Sequence, residues 1–331
     1  MTKRFLITGG AGFIGSHLAE GLLARGDHVV VLDNLATGRL ANLDVIGAHP
    51  HFRFVQGSVL DELVVDEAVH ECDAVVHLAA AVGVKLIVEQ PLRSFTTNIR
   101  GSEVVLGAAH RYRRPVLVAS SSEVYGKNNA GPLNETMDRV LGSTTVERWS
   151  YSTAKAVDEI LAFLYHRERG LPAMVARFFN TVGPRQSPAY GMVIPRLVRQ
   201  ALASKPLTVH GDGQQSRTFC HVSDTVEAIF RLLDDPAAIG EPFNVGGTRE
   251  ITVLQLAELI RERTGSSSGI ELIPYEQAYA KGFEDMRRRV PDTAKLRELT
   301  GWEPRRSLEN ILDDVIAESR AEQVSTRLLT N

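Results

Sequence analysis

Two cysteines among 331 residues, Cys72 and Cys220, are too few for a disulfide framework, which excludes a small stapled scaffold. Aromatic residues make up only 6% of the chain, and no apolar run approaches the ~18 residues that a membrane-spanning helix needs. Neither sign of charge dominates, since 37 Lys plus Arg face 40 Asp plus Glu for a formal net charge of -3. A general attraction to nucleic acid or anionic lipid is therefore not expected, and any anion site has to be local. The opening MTKRFLITGG has neither the apolar region of a signal peptide nor a transit composition, so the expected compartment is the cytoplasm, with no membrane and no nucleic-acid partner. No internal repeat of roughly 20–50 residues is visible.

What is present describes a folded enzyme. Hydrophobic residues at 44% and charged residues at 23% match a globular chain, and a prior of ~150 residues per domain gives about two domains. Phe5–Thr8 reads as a buried strand that runs straight into glycines, and Phe13–Leu23 carries apolar residues at helical spacing. Further strands are expected at 29–32, 52–55, 74–78, 116–119 and 173–179, with helices near 61–71, 92–113 and 154–169. Alternation of this kind implies right-handed crossovers and a parallel sheet. The expected architecture is α/β: a Rossmann-type doubly wound parallel sheet over 1–180, then a smaller C-terminal α/β substrate lobe over 181–321 from which the chain can re-enter the first domain. That lobe has helical patterns at 193–204, 224–234, 252–263 and 307–318, and short extended pieces at 207–209 and 243–245. Ser266–Gly269 reads as a surface loop, and the tail 322–331 is expected to fray.

Two constellations carry chemistry. Gly9, Gly10, Gly12 and Gly15 lie between the first strand and first helix, where glycines close the turn, admit a pyrophosphate to the backbone and leave helix N–H groups free. Asp33 ends the second strand, where a carboxylate accepts hydrogen bonds from an adenosine ribose and repels a 2′-phosphate, which favours NAD over NADP despite Arg39 nearby. Tyr151 and Lys155 are spaced i,i+4, which sets ammonium beside phenol on one helix face and is expected to lower a phenol pKa that starts near ~10. The hydroxyl-rich strand end Ser120-Ser121-Ser122-Glu123 falls where ligands of open sheets collect.

Other features give way to plainer readings. His49 and His51 have no third ligand at metal spacing, so no metal is expected. Arg111–Arg114 reads as a solvated cap at a helix C-terminus, and Cys220 as packing.

GGAGFIG at 9–15, Asp33, His77-Leu-Ala-Ala80, Asn98, SSSEVYG at 120–126, YSTAK at 151–155 and FNTVGPR at 179–185 together resemble the extended short-chain dehydrogenase/reductases that modify nucleotide sugars. The resemblance runs over nearly the whole chain. It implies bound NAD, held by Gly9, Gly12, Phe13, Ile14, Gly15, Asp33, Asn34, Ser58, Val59, Leu78, Ala79, Ala80, Asn98, Tyr151 and Lys155. Ser58 departs from the Asp that many members carry near the adenine. It also implies a catalytic group of Ser121, Tyr151 and Lys155, a C-terminal lobe for a nucleoside diphosphate, and a homodimer packed through helices matching 92–113 and 152–169.

Subclass turns on residues 121–123. Dehydratases acting on dTDP-glucose resemble Thr-Asp-Glu there, and simple 4-epimerases have no carboxylate matching Glu123. Ser-Ser-Glu-Val-Tyr-Gly is most similar to UDP-glucuronate decarboxylases, the UDP-xylose synthases, although GDP-mannose dehydratases share something like it. This implies that Glu123 and Arg289 join the catalytic residues, Glu123 either crowding a departing carboxylate or donating a proton. A UDP-sugar, with UDP-glucuronate favoured, would be held by Ser122, Asn180, Arg185, Val193, Arg217 and Arg289. Arg287 and Arg288 read equally well as a solvated basic run. The rival readings are a UDP-hexose or UDP-glucuronate 4-epimerase and a non-catalytic NAD-sensing regulator, which would have no need of Tyr151 with Lys155.

Overall fold

The computed structural model describes residues 2–82, 90–187, 192–278, 284 and 286–330. Six strands follow one another with helical crossovers: β1 (Arg4–Thr8), β2 (His28–Asp33), β3 (Phe52–Gln56), β4 (Ala74–His77), β5 (Val116–Ser121) and β6 (Ala173–Phe178). All pair in parallel, in the order β6-β5-β4-β1-β2-β3, and Ile7 faces Val31 on one side and Val76 on the other. β1 and β4 read as continuous apolar runs because helices cover both faces of the sheet. One face is closed by α1 (Phe13–Ala24) and the helix Val222–Asp234 through Leu18, Leu22, Val226 and Ile229. The other is closed by α2 (Glu62–His70), α3 (Pro91–Arg111) and α4 (Ser150–Arg169) through Val65, Val69, Val105, Leu106 and Ala162. Strand order reverses between β1 and β4, so the carboxyl ends of these strands frame the crevice in which open α/β sheets bind ligands.

The second half builds its own core. Helices Val193–Leu202, Val253–Thr264 and Leu308–Thr330 pack Leu197, Val198, Leu256, Ile260, Leu312 and Val315 around the parallel pair Leu207–His210 and Ile270–Ile273. The short run at 243–245 belongs elsewhere. As Pro242–Val245 it joins the main sheet outside β6, Phe243 opposite Ala176, and shares the first core with Leu296 and Trp302. Four apolar residues do not reveal which sheet they will extend. Asp292 precedes its helix, accepting from Ala294 N at 2.9 Å, and the helix itself spans Ala294–Thr300. The final helix continues through the expected tail to Thr330, helped by an Arg199–Glu322 ion pair at 2.7 Å. Its last turns lack an apolar stripe, so periodicity alone ends it early.

A buried ion pair stitches the sheet to α4. Arg177 on β6 donates through Nε and Nη2 to the two carboxylate oxygens of Glu159 at 2.9 and 2.7 Å, and through Nη1 to the Tyr125 hydroxyl at 2.9 Å. Tyr125 in turn donates to Asn244 in the outermost strand at 2.8 Å. Removing one member strands a buried charge. Glu159→Gln is expected to lower unfolding free energy by about 3 kcal/mol, read from urea midpoints at neutral pH. A loss under about 0.5 kcal/mol, typical of an exposed pair, would show that Arg177 reaches solvent instead.

Candidate active site

The turn after β1 is shaped by what its glycines lack. Gly9 has a φ of +73°, and a Cβ there would lie 2.8 Å from the Ala79 backbone; a Cβ on Gly15 would lie 2.4 Å from the Gly9 carbonyl oxygen. These two let α1 and the segment after β4 close on the turn. Gly12 caps α1 with no side-chain partner, and a Cβ there would meet only the Gly9 oxygen, at 3.1 Å, before entering the crevice. The N-terminus of α1 therefore opens onto a cavity of about 870 Å³. Asp33 stands at its edge and accepts from Ala11 N at 3.0 Å and Leu35 N at 2.8 Å. Burial raises its pKa, and the two amides oppose that rise by favouring the carboxylate. Phe13, Ile14, Asn34, Val59, Leu78, Ala79 and Ala80 line the same cavity, as does Arg39. This cradle fits a dinucleotide: free helix N–H groups for pyrophosphate and a strand-end carboxylate for ribose.

Two residues expected there stand behind the cavity wall. Ser58 turns into its own loop, accepting from Leu60 N at 3.2 Å, while its neighbours Gly57 and Val59 reach the cavity. Asn98, fully buried on α3, clasps Ala81 by accepting its N–H at 2.7 Å and donating to its carbonyl at 3.2 Å.

At the far end of the cavity β5 delivers Ser121 and α4 delivers Tyr151 and Lys155. Ser121 Oγ accepts from Glu123 N at 3.2 Å and hydrogen-bonds the Tyr151 phenol. Lys155 is 2% exposed and donates to the Ala119 carbonyl and to Asp158 Oδ2, both at 3.0 Å. Burial alone would lower its pKa, but Asp158 and Tyr151 outweigh that and raise it. The expected fall in the Tyr151 pKa does not occur here. Burial raises it, Lys155 opposes that, and the negative charges of Glu123 and Asp158 add to the rise.

Glu123 is also not the protonated donor that the sequence left open. Arg148 grips it with Nη1 at 2.7 Å and Nη2 at 2.9 Å, and Arg289 with Nη1 at 2.5 Å. Burial pushes its pKa up, but the two guanidiniums more than reverse that and bring it to about 2. Two guanidiniums therefore meet one carboxylate beside Tyr151, and their planar forks are donors of the kind that suits a substrate carboxylate. Arg289 further donates to Asn180 Oδ1 at 2.7 Å, and Asn180 to the Thr218 carbonyl at 2.8 Å.

Of the remaining candidates, Ser122, Val193 and Arg217 line the cavity. Arg217 is 7% exposed and donates to the Ser216 carbonyl at 2.8 Å. Arg185 reaches the cavity too, but its guanidinium is paired with Glu20 at 2.5 Å, which weakens its claim on a sugar acid. Arg287 and Arg288 point away, to Asp212 at 2.7 Å and Glu250 at 2.8 Å, as a solvated basic run would. Cys220 is core, and burial pushes its thiol up to about 12. Sequence reasoning missed Arg148 and Asp158. Each sits three residues from a residue it did single out, Arg148 before Tyr151 and Asp158 after Lys155, and that helical spacing was the available signal.

Residues 6–315 match the family model for GDP-mannose 4,6 dehydratase. Among curated proteins the chain is 42% identical over 318 residues to UDP-N-acetyl-alpha-D-glucosaminuronate decarboxylase of Bacillus cytotoxicus, covering 96% of this chain and 97% of that protein. It is 37% identical to UDP-glucuronic acid decarboxylase 1 of Arabidopsis thaliana, covering 96% of this chain and 70% of that one. Among solved structures, UDP-glucuronic acid 4-epimerase from Bacillus cereus, in complex with UDP-glucuronic acid and NAD, superposes with a TM-score of 0.87 at 28% identity, covering 96% of this chain and 99% of that chain. With a nucleotide cradle, a Tyr-Lys pair and two guanidiniums on one carboxylate in one cavity, and with matches of this extent, the chain belongs to the GDP-mannose 4,6-dehydratase family of extended short-chain dehydrogenase/reductases that modify nucleotide sugars.

Proposed function

We propose that this enzyme is an NAD-dependent decarboxylase of a UDP-linked hexuronate, with UDP-glucuronate as substrate. The observation that carries this reading is the Arg148–Glu123–Arg289 cluster beside Tyr151, in which two guanidiniums flank one carboxylate where a sugar C6 carboxylate would meet them. The decarboxylases to which the chain is similar support it, the Bacillus cytotoxicus protein being named for the 2-acetamido analogue of the same sugar.

When bound, NAD supplies the acceptor for the C4 hydride and a nicotinamide cation whose charge favours the Tyr151 phenolate. Gly12 and the α1 N-terminus would hold its diphosphate, and Asp33 its ribose. Tyr151 takes the C4 hydroxyl proton as the C–H electron pair leaves, with Ser121 relaying through its hydrogen bond and the Lys155 ammonium stabilising the phenolate. In the resulting β-keto acid the C5–C6 bond breaks, its electron pair forms the C4 enolate, and carbon dioxide departs. Tyr151 and Ser121 hydrogen-bond the enolate oxygen while C5 takes up a proton. Glu123, fixed in its ionised form, sets the two guanidiniums that would meet the C6 carboxylate. The sugar nucleotide itself falls to residues 181–321 and the cofactor to 1–180.

The same reading makes the chain a homodimer through α3 and α4, where Leu92, Ile160 and Leu164 are solvent-facing apolar residues. Light scattering is expected to give twice the 36.3 kDa chain mass, and Ile160→Asp to shift it to the monomer; a parent protein at the monomer mass refutes the dimer.

By calorimetry, NAD should bind about tenfold or more tightly than NADP, the effect of ~1.4 kcal/mol from one screened like-charge contact with Asp33. Equal affinities would remove Asp33 from that role.

Incubated with NAD and UDP-glucuronate, the protein should release carbon dioxide and give a product about 44 mass units lighter when the hydride returns to C4, or the 4-keto pentose, about 46 units lighter, when it does not. Recovery of UDP-galacturonate with no carbon dioxide would make it a 4-epimerase, and turnover of the 2-acetamido sugar alone would move the substrate to that analogue.

A further inference from the structure

Behind Lys155 lies a group of buried polar side chains. The Ala79 N–H, which can only donate, meets Thr8 Oγ1 at 3.3 Å. Thr8 Oγ1 lies 2.7 Å from His77 Nδ1, and His77 Nε2 lies 3.1 Å from Ser102 Oγ. The Ser102 hydroxyl favours the charged form of Asp158, which can only accept and which takes Lys155 Nζ at 3.0 Å on Oδ2. His77 is neutral, since burial first and Lys155 second bring its pKa down to about 3. A hydroxyl stands at each ring nitrogen, so the neutral imidazole donates to one of them and accepts from the other. Thr8, His77, Ser102 and Asp158 belong to β1, β4, α3 and α4, and none is more than 1% exposed. Asp158 Oδ1 has no close hydrogen-bond partner of its own, an arrangement that stability alone does not favour.

We propose that Asp158 is a positioning residue that holds the Lys155 ammonium beside Tyr151 and sets the charge that Tyr151 meets there. It rests on the acid–base role given to Tyr151 above, but not on which sugar is turned over. Asp158 does two opposed things. It fixes the ammonium that stabilises phenolate, and its own negative charge raises the Tyr151 pKa. The other charges that face this group are accounted for: Glu159 is paired with Arg177, and Glu123 with Arg148 and Arg289. No other titratable group acts on Asp158 as strongly as Lys155 and Glu159 do. The proton affinity of Tyr151 thus depends on Asp158, a residue that no substrate atom touches.

The test titrates Tyr151 directly in the NAD complex without sugar, from the near-ultraviolet phenolate absorbance of each variant minus its Tyr151→Phe counterpart. Asp158→Asn deletes one negative charge but keeps an amide oxygen for Lys155 Nζ, so the Tyr151 midpoint should fall by about one pH unit and the acid limb of turnover should move down with it. Asp158→Ala also releases the ammonium, so its midpoint should lie above that of Asp158→Asn, and a midpoint at or below that of Asp158→Asn overturns the positioning role. Ser102→Ala keeps the charge but withdraws a donor that shares it, so the midpoint should rise. An unchanged midpoint in Asp158→Asn, even with a lower thermal midpoint, overturns the proposal and leaves Asp158 as packing alone. Should Asp158→Asn fail to fold, Ser102→Ala decides, and an unchanged or lowered midpoint there overturns it as well. Absence of carbon dioxide release would sink the decarboxylase reading while leaving this titration intact.

Discussion

A buried ammonium is costly unless charge and hydrogen bonds surround it, and the interior of this protein is organised around that constraint at Lys155. Its donors go to a strand carbonyl, Ala119, and to a carboxylate one helical turn away, Asp158. Both ligands are fixed only if α4 lies flush on β5, which in turn places Tyr151 at the strand end beside Ser121. The position of the phenol is therefore a consequence of satisfying the lysine. The second buried ion pair, Arg177 with Glu159, secures the same helix to β6 from the next position along, so two charges in succession specify its register against the sheet.

A different arrangement of charge stands at Glu123. The ammonium and carboxylate at Lys155 pair one to one, while two guanidiniums share one carboxylate at the end of the cavity that holds Tyr151.

The alternation of apolar runs with helical patterns, the glycine turn, Asp33 and the Tyr151/Lys155 spacing were all legible in the sequence, because each is local: periodicity, turn chemistry and i,i+4 geometry act within a few residues. The resemblance carried by these motifs extended that reading to the family. Distance in sequence set the limit. The strand 242–245 was visible as extended, yet its place beside β6 depends on a partner more than sixty residues earlier. Ser58 and Asn98 carry the right residue types for a cofactor wall, but their side chains are spent on Leu60 and Ala81.

The sequence by itself determined the order of elements, the glycine turn and the pairing of Tyr151 with Lys155 on one helix face, since those follow from residue type and short spacing. Only the tertiary structure decided the electrical state of the site. Glu123 lies 166 positions from the Arg289 that holds it ionised, and Tyr151 is pushed upward by burial that its neighbours in sequence do not foretell. The physical reason is that a pKa is set by desolvation and by charges within a few ångströms, and proximity of that kind exists only once β5, α4 and the segment at 289 have packed together.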